Sequence, residues 1–213
     1  MPRVDNKEFY SEAMQKHGEN ANGLHWISKE TQNIRFKAIL EMLPSNLNQL
    51  TLLDAGCGFG DFYIYLKNNN KLPKEYKGVD SLEYMCNIAS KKTKCETIVA
   101  DITKDQIPNA QYIVCSGAMN ILNKFETYQF IRNCYISSEN GFIFNILHGN
   151  KKSDTYNYVT TTELKQIAKD LGVVDMKIKT GYLKSDITVG FFHQKTKFIN
   201  IFYDLIFRAA KNR

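Results

Sequence analysis

Residues 52–62 read Leu-Leu-Asp-Ala-Gly-Cys-Gly-Phe-Gly-Asp-Phe. A short apolar run ends in Asp54, three glycines follow at alternate positions (Gly56, Gly58, Gly60), and a helical pattern begins near Asp61. The order is a strand, a tight glycine loop and a helix start. Such a loop lets backbone approach a ligand closely, because a Cβ would clash or forbid the required φ. A dinucleotide fingerprint is G-x-G-x-x-G. Here the third glycine comes one residue early and an acid stands two residues before the first, which disfavours an NAD-binding loop.

Two further acids follow at informative distances. Tyr76-Lys77-Gly78-Val79-Asp80 has the form of a second buried strand ending in a carboxylate, and Thr97-Ile98-Val99-Ala100-Asp101-Ile102 repeats it after an intervening helix. In an open α/β sheet the carboxyl end of the neighbouring strand reaches the nucleoside part of a ligand held by the first loop. A carboxylate at 80 can accept from both ribose hydroxyls. Asp101 stands where an adenine amino group could be read, with Ile102 beside the ring. Taken singly, each acid is an ordinary helix N-cap or turn residue; with the glycine loop they form a constellation.

The acid-x-G-x-G-x-G form resembles the first motif of class I S-adenosylmethionine-dependent methyltransferases. Around it, strand patterns fall near 51–54, 76–80, 97–100, 111–115, 141–147, 174–181 and 186–193, and helical patterns near 29–43, 60–69, 82–91, 124–137 and 160–171. Alternation of this kind predicts an α/β fold: a doubly wound, seven-stranded, mostly parallel sheet with helices on both faces. The last two strands, joined through Tyr-Leu-Lys-Ser, predict a C-terminal antiparallel hairpin. Thr160 and Glu163 have capping-box spacing, and Gly172 marks that helix's stop. The resemblance covers residues 29–193. It divides the chain into an N-terminal lid segment (1–28), a cofactor-binding methyltransferase domain (29–193) and a basic amphipathic C-terminal helix (194–213).

The resemblance implies a cofactor site for S-adenosylmethionine at Asp54, Gly56, Cys57, Gly58, Gly60, Asp80, Ser81, Asp101, Ile102, Ser116 and Gly117. The segment Gly-x-x-Trp followed by Ser-x-Glu-x-Gln-x-x-Arg-Phe resembles the lid of small bacterial methyltransferases, most with unassigned substrates. That likeness adds Trp26, packed over the cofactor, and Arg35, forked onto its carboxylate. Ser28 with Thr31 is a candidate N-cap for the following helix, whose apolar face would carry Ile34, Ala38, Ile39 and Met42 with Arg35 elsewhere. After the fourth strand the chain reads Ser-Gly-Ala-Met-Asn and lacks the Asp/Asn-Pro-Pro-aromatic motif common in methyltransferases acting on base amino groups. Substrate residues are expected after the fifth strand, at His148, Tyr156 and Tyr158. His148 is the first candidate for a general base and His25 the second.

The 213 residues, 43% hydrophobic and 23% charged, suit one globular domain. No apolar run approaches a membrane span, and the N-terminus lacks a signal-peptide core. Five cysteines without C-x-x-C pairing predict reduced thiols and a cytoplasmic protein. Four histidines without metal-ligand spacing predict no metal. The net charge of +6 is uneven: residues 1–148 carry 16 basic and 16 acidic residues, and residues 149–213 carry 12 and 6. A basic final third could serve an acidic partner, but arginine, the preferred residue for phosphate and base contacts, is scarce. The expected acceptor is therefore a small molecule. Alternatives are an RNA or protein methyltransferase using the basic third, and a cofactor-binding module without turnover. The C-terminal stripe Phe198, Ile201, Phe202, Leu205, Ile206 and Ala209 predicts packing or homodimerisation.

Overall fold

The computed structural model describes residues 4–194. Of the helix expected over 194–213, residues 195–213, with the dimerisation stripe, lie outside the described residues. Seven strands form one sheet in the order β3-β2-β1-β4-β5-β7-β6. They are β1 (Thr51–Ala55), β2 (Glu75–Asp80), β3 (Glu96–Val99), β4 (Ala110–Ser116), β5 (Ser138–Leu147), β6 (Asp175–Lys179) and β7 (Asp186–Phe192). β1 to β5 run parallel, whereas β7 pairs antiparallel with both β5 and β6. Six helices join them: α1 (Asn6–His17), α2 (Lys29–Leu40), α3 (Asp61–Asn68), α4 (Glu83–Thr93), α5 (Lys124–Ser137) and α6 (Thr161–Asp170).

Strand alternation builds the two faces. Leu52, Tyr112, Val114 and Ile143 point into a core shared with Phe36 and Ile39 of α2 and Phe62 and Leu66 of α3. Their immediate neighbours Leu53, Ile113, Cys115, Phe142 and Phe144 enter the opposite core with Phe130, Ile131 and Cys134 of α5 and Leu164 of α6. A period of two thus sends successive apolar residues to opposite helix layers, as a sheet covered on both faces demands. The capping boxes are present at Ser28/Thr31 and Thr160/Glu163, and a third sits at Asn123/Glu126.

The chain winds outward from β1 to β3, then returns to place β4 on the other side of β1. That reversal is a topological switch point. The side chains and loops that follow β1 and β4 diverge there and leave a crevice outside the strands' carboxyl ends.

The N-terminal segment opens with a helix. Asp5 caps a twelve-residue helix by accepting from the Glu8 N–H, and Ala13 of that helix is buried. Tyr10 and Met14 pack with Leu24 against Phe59, Leu82 and Met85. α1 and the short turn Asn22–Leu24 therefore lie over the glycine loop and the start of α4.

Candidate active site

The crevice is a cavity of about 920 Å³ lined by residues from β1, β2, β4 and their loops on one side, and from α1, residues 24–27 and residues 147–158 on the other. Its floor is the glycine loop. Gly56, Gly58 and Gly60 all take positive φ (+75°, +52° and +74°). The Gly56 and Cys57 N–H groups donate to the Val79 carbonyl at 2.8 and 3.0 Å, and the Gly58 N–H donates to Asp80 Oδ2 at 3.0 Å. A Cβ on Gly56 would lie 2.3 Å from the Ala118 Cβ, so this loop and the turn after β4 meet closely only because the residue is glycine.

Asp80 is the hub of this half. Its two oxygens accept from Gly58 and Leu82 N–H groups, yet a carboxylate has about four lone-pair sites, and Asp80 stands on the cavity wall. Burial pushes its pKa up, opposed by the backbone donors. Asp54 is also buried on the wall, with Tyr76 Oη donating to it at 2.6 Å. Burial raises its pKa to about 7, against the Tyr76 bond and with help from the negative charges of Asp80 and Asp61.

Most residues expected at the cofactor site line this one cavity: Asp54, Gly56, Cys57, Gly58, Asp80, Ser81, Asp101, Ile102, Ser116, Gly117, Trp26 and Arg35. Gly60 does not. It packs against α4, where a Cβ would lie 2.6 Å from Thr93 Cγ2 and 3.4 Å from the Ala89 Cβ. Asp101 is on the wall, but its carboxylate is folded into a local turn. It accepts from the Thr103 N–H and hydroxyl and pairs with Lys104. These partners hold its pKa below the usual range against a partial burial that acts the other way. Ser116 Oγ donates to Asn145 Oδ1, and Ser81 Oγ accepts from Asn6 Nδ2 of the lid.

Arg35 differs most from expectation. It is buried, and Nε and Nη2 each donate to an Asp186 oxygen at 2.6 Å. Trp26 lies over the guanidinium at 4.8 Å and also covers Gly117, whose Cβ would lie 2.5 Å from the indole. The fork expected for a ligand carboxylate is thus filled by an aspartate 151 residues away in sequence. Burying the guanidinium without that partner would be costly.

His148 is off the cavity wall; its Nε2 meets Thr161 Oγ1 at 3.0 Å and its backbone bridges Val159. The first sequence candidate for a base is therefore a strand-end residue in contact with Thr161. His25 does line the cavity. It adopts a left-handed φ of 58°, stacks on Phe9 at 3.8 Å, and its Nε2 lies 2.9 Å from the Phe9 carbonyl. A carbonyl can only accept, so Nε2 is the donor of this pair. Tyr156 and Tyr158 are on the wall as expected, Tyr156 near Phe9 and Tyr158 beneath Lys151.

Sequence reasoning missed Phe9, Tyr10 and Asn120, which also line the cavity. The signal for the first two was present, since Asp5 and Glu8 make a cap pattern and Tyr10, Ala13 and Met14 follow helical spacing. Asp61 was read only as a helix start. It is buried at the cavity edge and bonded to Gln32, Lys29 and Lys92. Those partners hold its pKa down against burial and tie α2 to α3 and α4. Among the described residues no His/Cys/Asp/Glu group could hold a metal ion, and no helix is long and apolar enough to cross a membrane.

The fold and the glycine-loop crevice define a class I S-adenosylmethionine-dependent methyltransferase architecture. Residues 52–141, from β1 into β5, match the model of the methyltransferase domain family. No curated protein matches the chain by sequence. Among solved structures, the magnesium protoporphyrin IX methyltransferase of Synechocystis PCC 6803 with bound S-adenosylhomocysteine aligns over 89% of this chain and 100% of its own, with TM-score 0.66 and 14% identity. A methyltransferase of Leishmania major aligns over 88% of this chain and 85% of its own, with TM-score 0.68 and 14% identity. Human N-acetylserotonin methyltransferase with S-adenosylmethionine aligns over 90% of this chain and 61% of its own, with TM-score 0.66 and 12% identity. At these identities the likeness is one of fold.

Proposed function

We propose that the protein transfers a methyl group from S-adenosylmethionine to a small-molecule acceptor. The observation that carries this reading is Asp80. It is a buried carboxylate at the end of β2, bonded to the glycine loop, on the wall of a crevice at the sheet's switch point. Its remaining lone pairs suit ribose hydroxyls. Ile102, Leu82 and Met85 offer apolar surface for an adenine ring, and the Gly56–Gly58 backbone with Ser116 and Gly117 would flank the rest of the cofactor. A cavity of about 920 Å³ lies near the top of the range of roughly 300–1,000 Å³ for small-molecule sites, which suits a cofactor together with a small acceptor.

When bound, the cofactor supplies an already activated methyl group, so the protein's task is alignment and exclusion of water. Positioning of this kind contributes up to about 7–11 kcal/mol. The lid helix α1 and Trp26 close the crevice from outside. His25, on the cavity wall with Nε2 engaged by the Phe9 carbonyl, would take a proton from the acceptor through Nδ1.

Calorimetric titration with S-adenosylhomocysteine, S-adenosylmethionine and NAD tests the reading. Both adenosyl ligands should bind in the micromolar range and NAD should not. Asp80→Ala should weaken S-adenosylhomocysteine at least ~100-fold, about 2.7 kcal/mol. Absence of adenosyl binding to the wild-type protein, or unchanged affinity in the variant, would overturn it. In a turnover assay His25→Ala should lower kcat while leaving S-adenosylhomocysteine affinity intact.

A further inference from the structure

Asn120 sits in the short helical turn Ala118–Ile121 after β4, on the cavity wall. All but one of its polar atoms are committed. The backbone N–H donates to the Gly117 carbonyl, and the backbone carbonyl accepts from the Asn157 N–H at 2.7 Å. Oδ1 accepts from the Leu147 N–H at 3.1 Å. An N–H can only donate, so the amide orientation is fixed and the free atom is Nδ2. Nδ2 has no partner among the described residues. Its setting is rigid from several sides: Leu147 ends β5, and Asn157 is buried with its own Nδ2 donating to Thr127 Oγ1 of α5. The result is a pre-organised donor whose rotamer is fixed by packing around it.

The wall beside it is aromatic and apolar. Phe9, Trp26, Leu122, Tyr156 and Tyr158 contribute, with Phe9 and Tyr156 edge to face at 6.4 Å. No buried cation is free there: Arg35 is paired with Asp186, Lys7 and the Lys151 that lies over Tyr158 are exposed, and Asp54 and Asp80 add carboxylates to the cavity wall. An acceptor carrying a carboxylate or phosphate would leave its charge uncompensated in this half of the crevice, which is costly.

We infer that the acceptor is an uncharged, planar aromatic molecule bearing an oxygen, and that Asn120 Nδ2 donates to that oxygen. This rests on the methyl-transfer reading above. The amide fixes the oxygen's position, the aromatic side chains take the ring faces, and the site discriminates against anionic relatives of the same ring.

The test is calorimetric titration of protein saturated with S-adenosylhomocysteine, using 2-naphthol, 2-naphthylamine and 2-naphthoate as probes. 2-Naphthol should bind at least tenfold more tightly than 2-naphthoate and more tightly than the amine. Asn120→Asp keeps an oxygen for the Leu147 N–H and removes the donor. It should weaken 2-naphthol at least tenfold while leaving Tm and S-adenosylhomocysteine affinity unchanged. Equal binding of the three probes, preference for the anion, no binding of 2-naphthol, or full affinity in a folded variant would overturn the inference. If the variant does not fold, the probe ranking on the wild-type protein decides alone. Loss of S-adenosylhomocysteine binding in the wild-type protein would fail the parent reading instead, and that is measured before any probe is added.

Discussion

The two halves of the crevice are built by different means. The floor under β1 and β2 is held by backbone groups close to the motif: Gly56 and Cys57 on Val79, Gly58 on Asp80, Leu82 on Asp80. The opposite wall is held by side chains from distant parts of the chain, with Arg35 on Asp186, Asn6 on Ser81, and Leu147 on Asn120. A floor of backbone bonds tolerates side-chain change on its exposed faces and fixes a ligand's position. A wall of long-range polar pairs can be rewritten one pair at a time. The first property suits a common cofactor and the second a particular acceptor.

The sharpest way to break this comparison is to remove Asp186. If Arg35 is held by it, Asp186→Ala strands a buried guanidinium and should cost about 3–5 kcal/mol, read from urea denaturation midpoints at constant m-value. Replacing both partners with apolar residues (Arg35→Met with Asp186→Leu) should recover most of that loss. A cost under ~1 kcal/mol, the range of exposed pairs, would show Arg35 free to serve a ligand, and the wall would then resemble the floor.

What could be read from the sequence follows the same division. The glycine loop, Asp54, Asp80 and the strand order were legible because strand, loop and helix there are contiguous and their chemistry is local. The Thr160/Glu163 capping box and the Ser28 N-cap were legible for the same reason. The destination of Arg35 was not, because nothing at position 35 announces a carboxylate at 186; spacing placed it off the apolar face, and a partner drew it in. The setting of His148 was hidden for a related reason: a histidine at a strand end has the chemistry of a base, and only the fold shows its Nε2 on Thr161 Oγ1. Gly60 was assigned to the cofactor by motif, whereas the side chains it must clear lie on α4.

The floor itself can be probed by pH. Asp54 rises from an ordinary 3.8 to about 7 because it is buried. A carboxyl with a raised folded pKa binds protons more readily in the folded than in the unfolded chain. Its contribution is therefore most favourable below the unfolded pKa and is lost as pH climbs from about 4 towards 7, levelling above. The three-unit shift bounds the loss at about 4 kcal/mol. Tyr76 donates to it, and Asp80 and Asp61 act on it through space. Asp54→Asn retains an acceptor for the Tyr76 hydroxyl and removes the titration. The measurement is denaturation at pH 4.5 and 7.5 for both proteins. The wild type should lose more stability than the variant between the two, and equal losses would place Asp54 in a more solvated floor than the structure has.

The smallest expected effect separates packing from binding within the motif. Gly60 has a φ of +74° and α4 only 2.6 Å from where its Cβ would be. Gly60→Ala should destabilise the fold by about 1–3 kcal/mol, combining left-handed strain with displacement of Thr93. Once the protein is folded, S-adenosylhomocysteine affinity should change less than threefold, because Gly60 is not on the wall. Gly56 is on the wall, and a Cβ there would lie 2.3 Å from the Ala118 Cβ, so Gly56→Ala should lose affinity as well as stability. A Gly60 variant that loses affinity in proportion to Gly56 would mean that the whole loop moves as one body. Separate responses would mean that the third glycine of the motif serves the α3–α4 contact, and that only the first two serve the ligand.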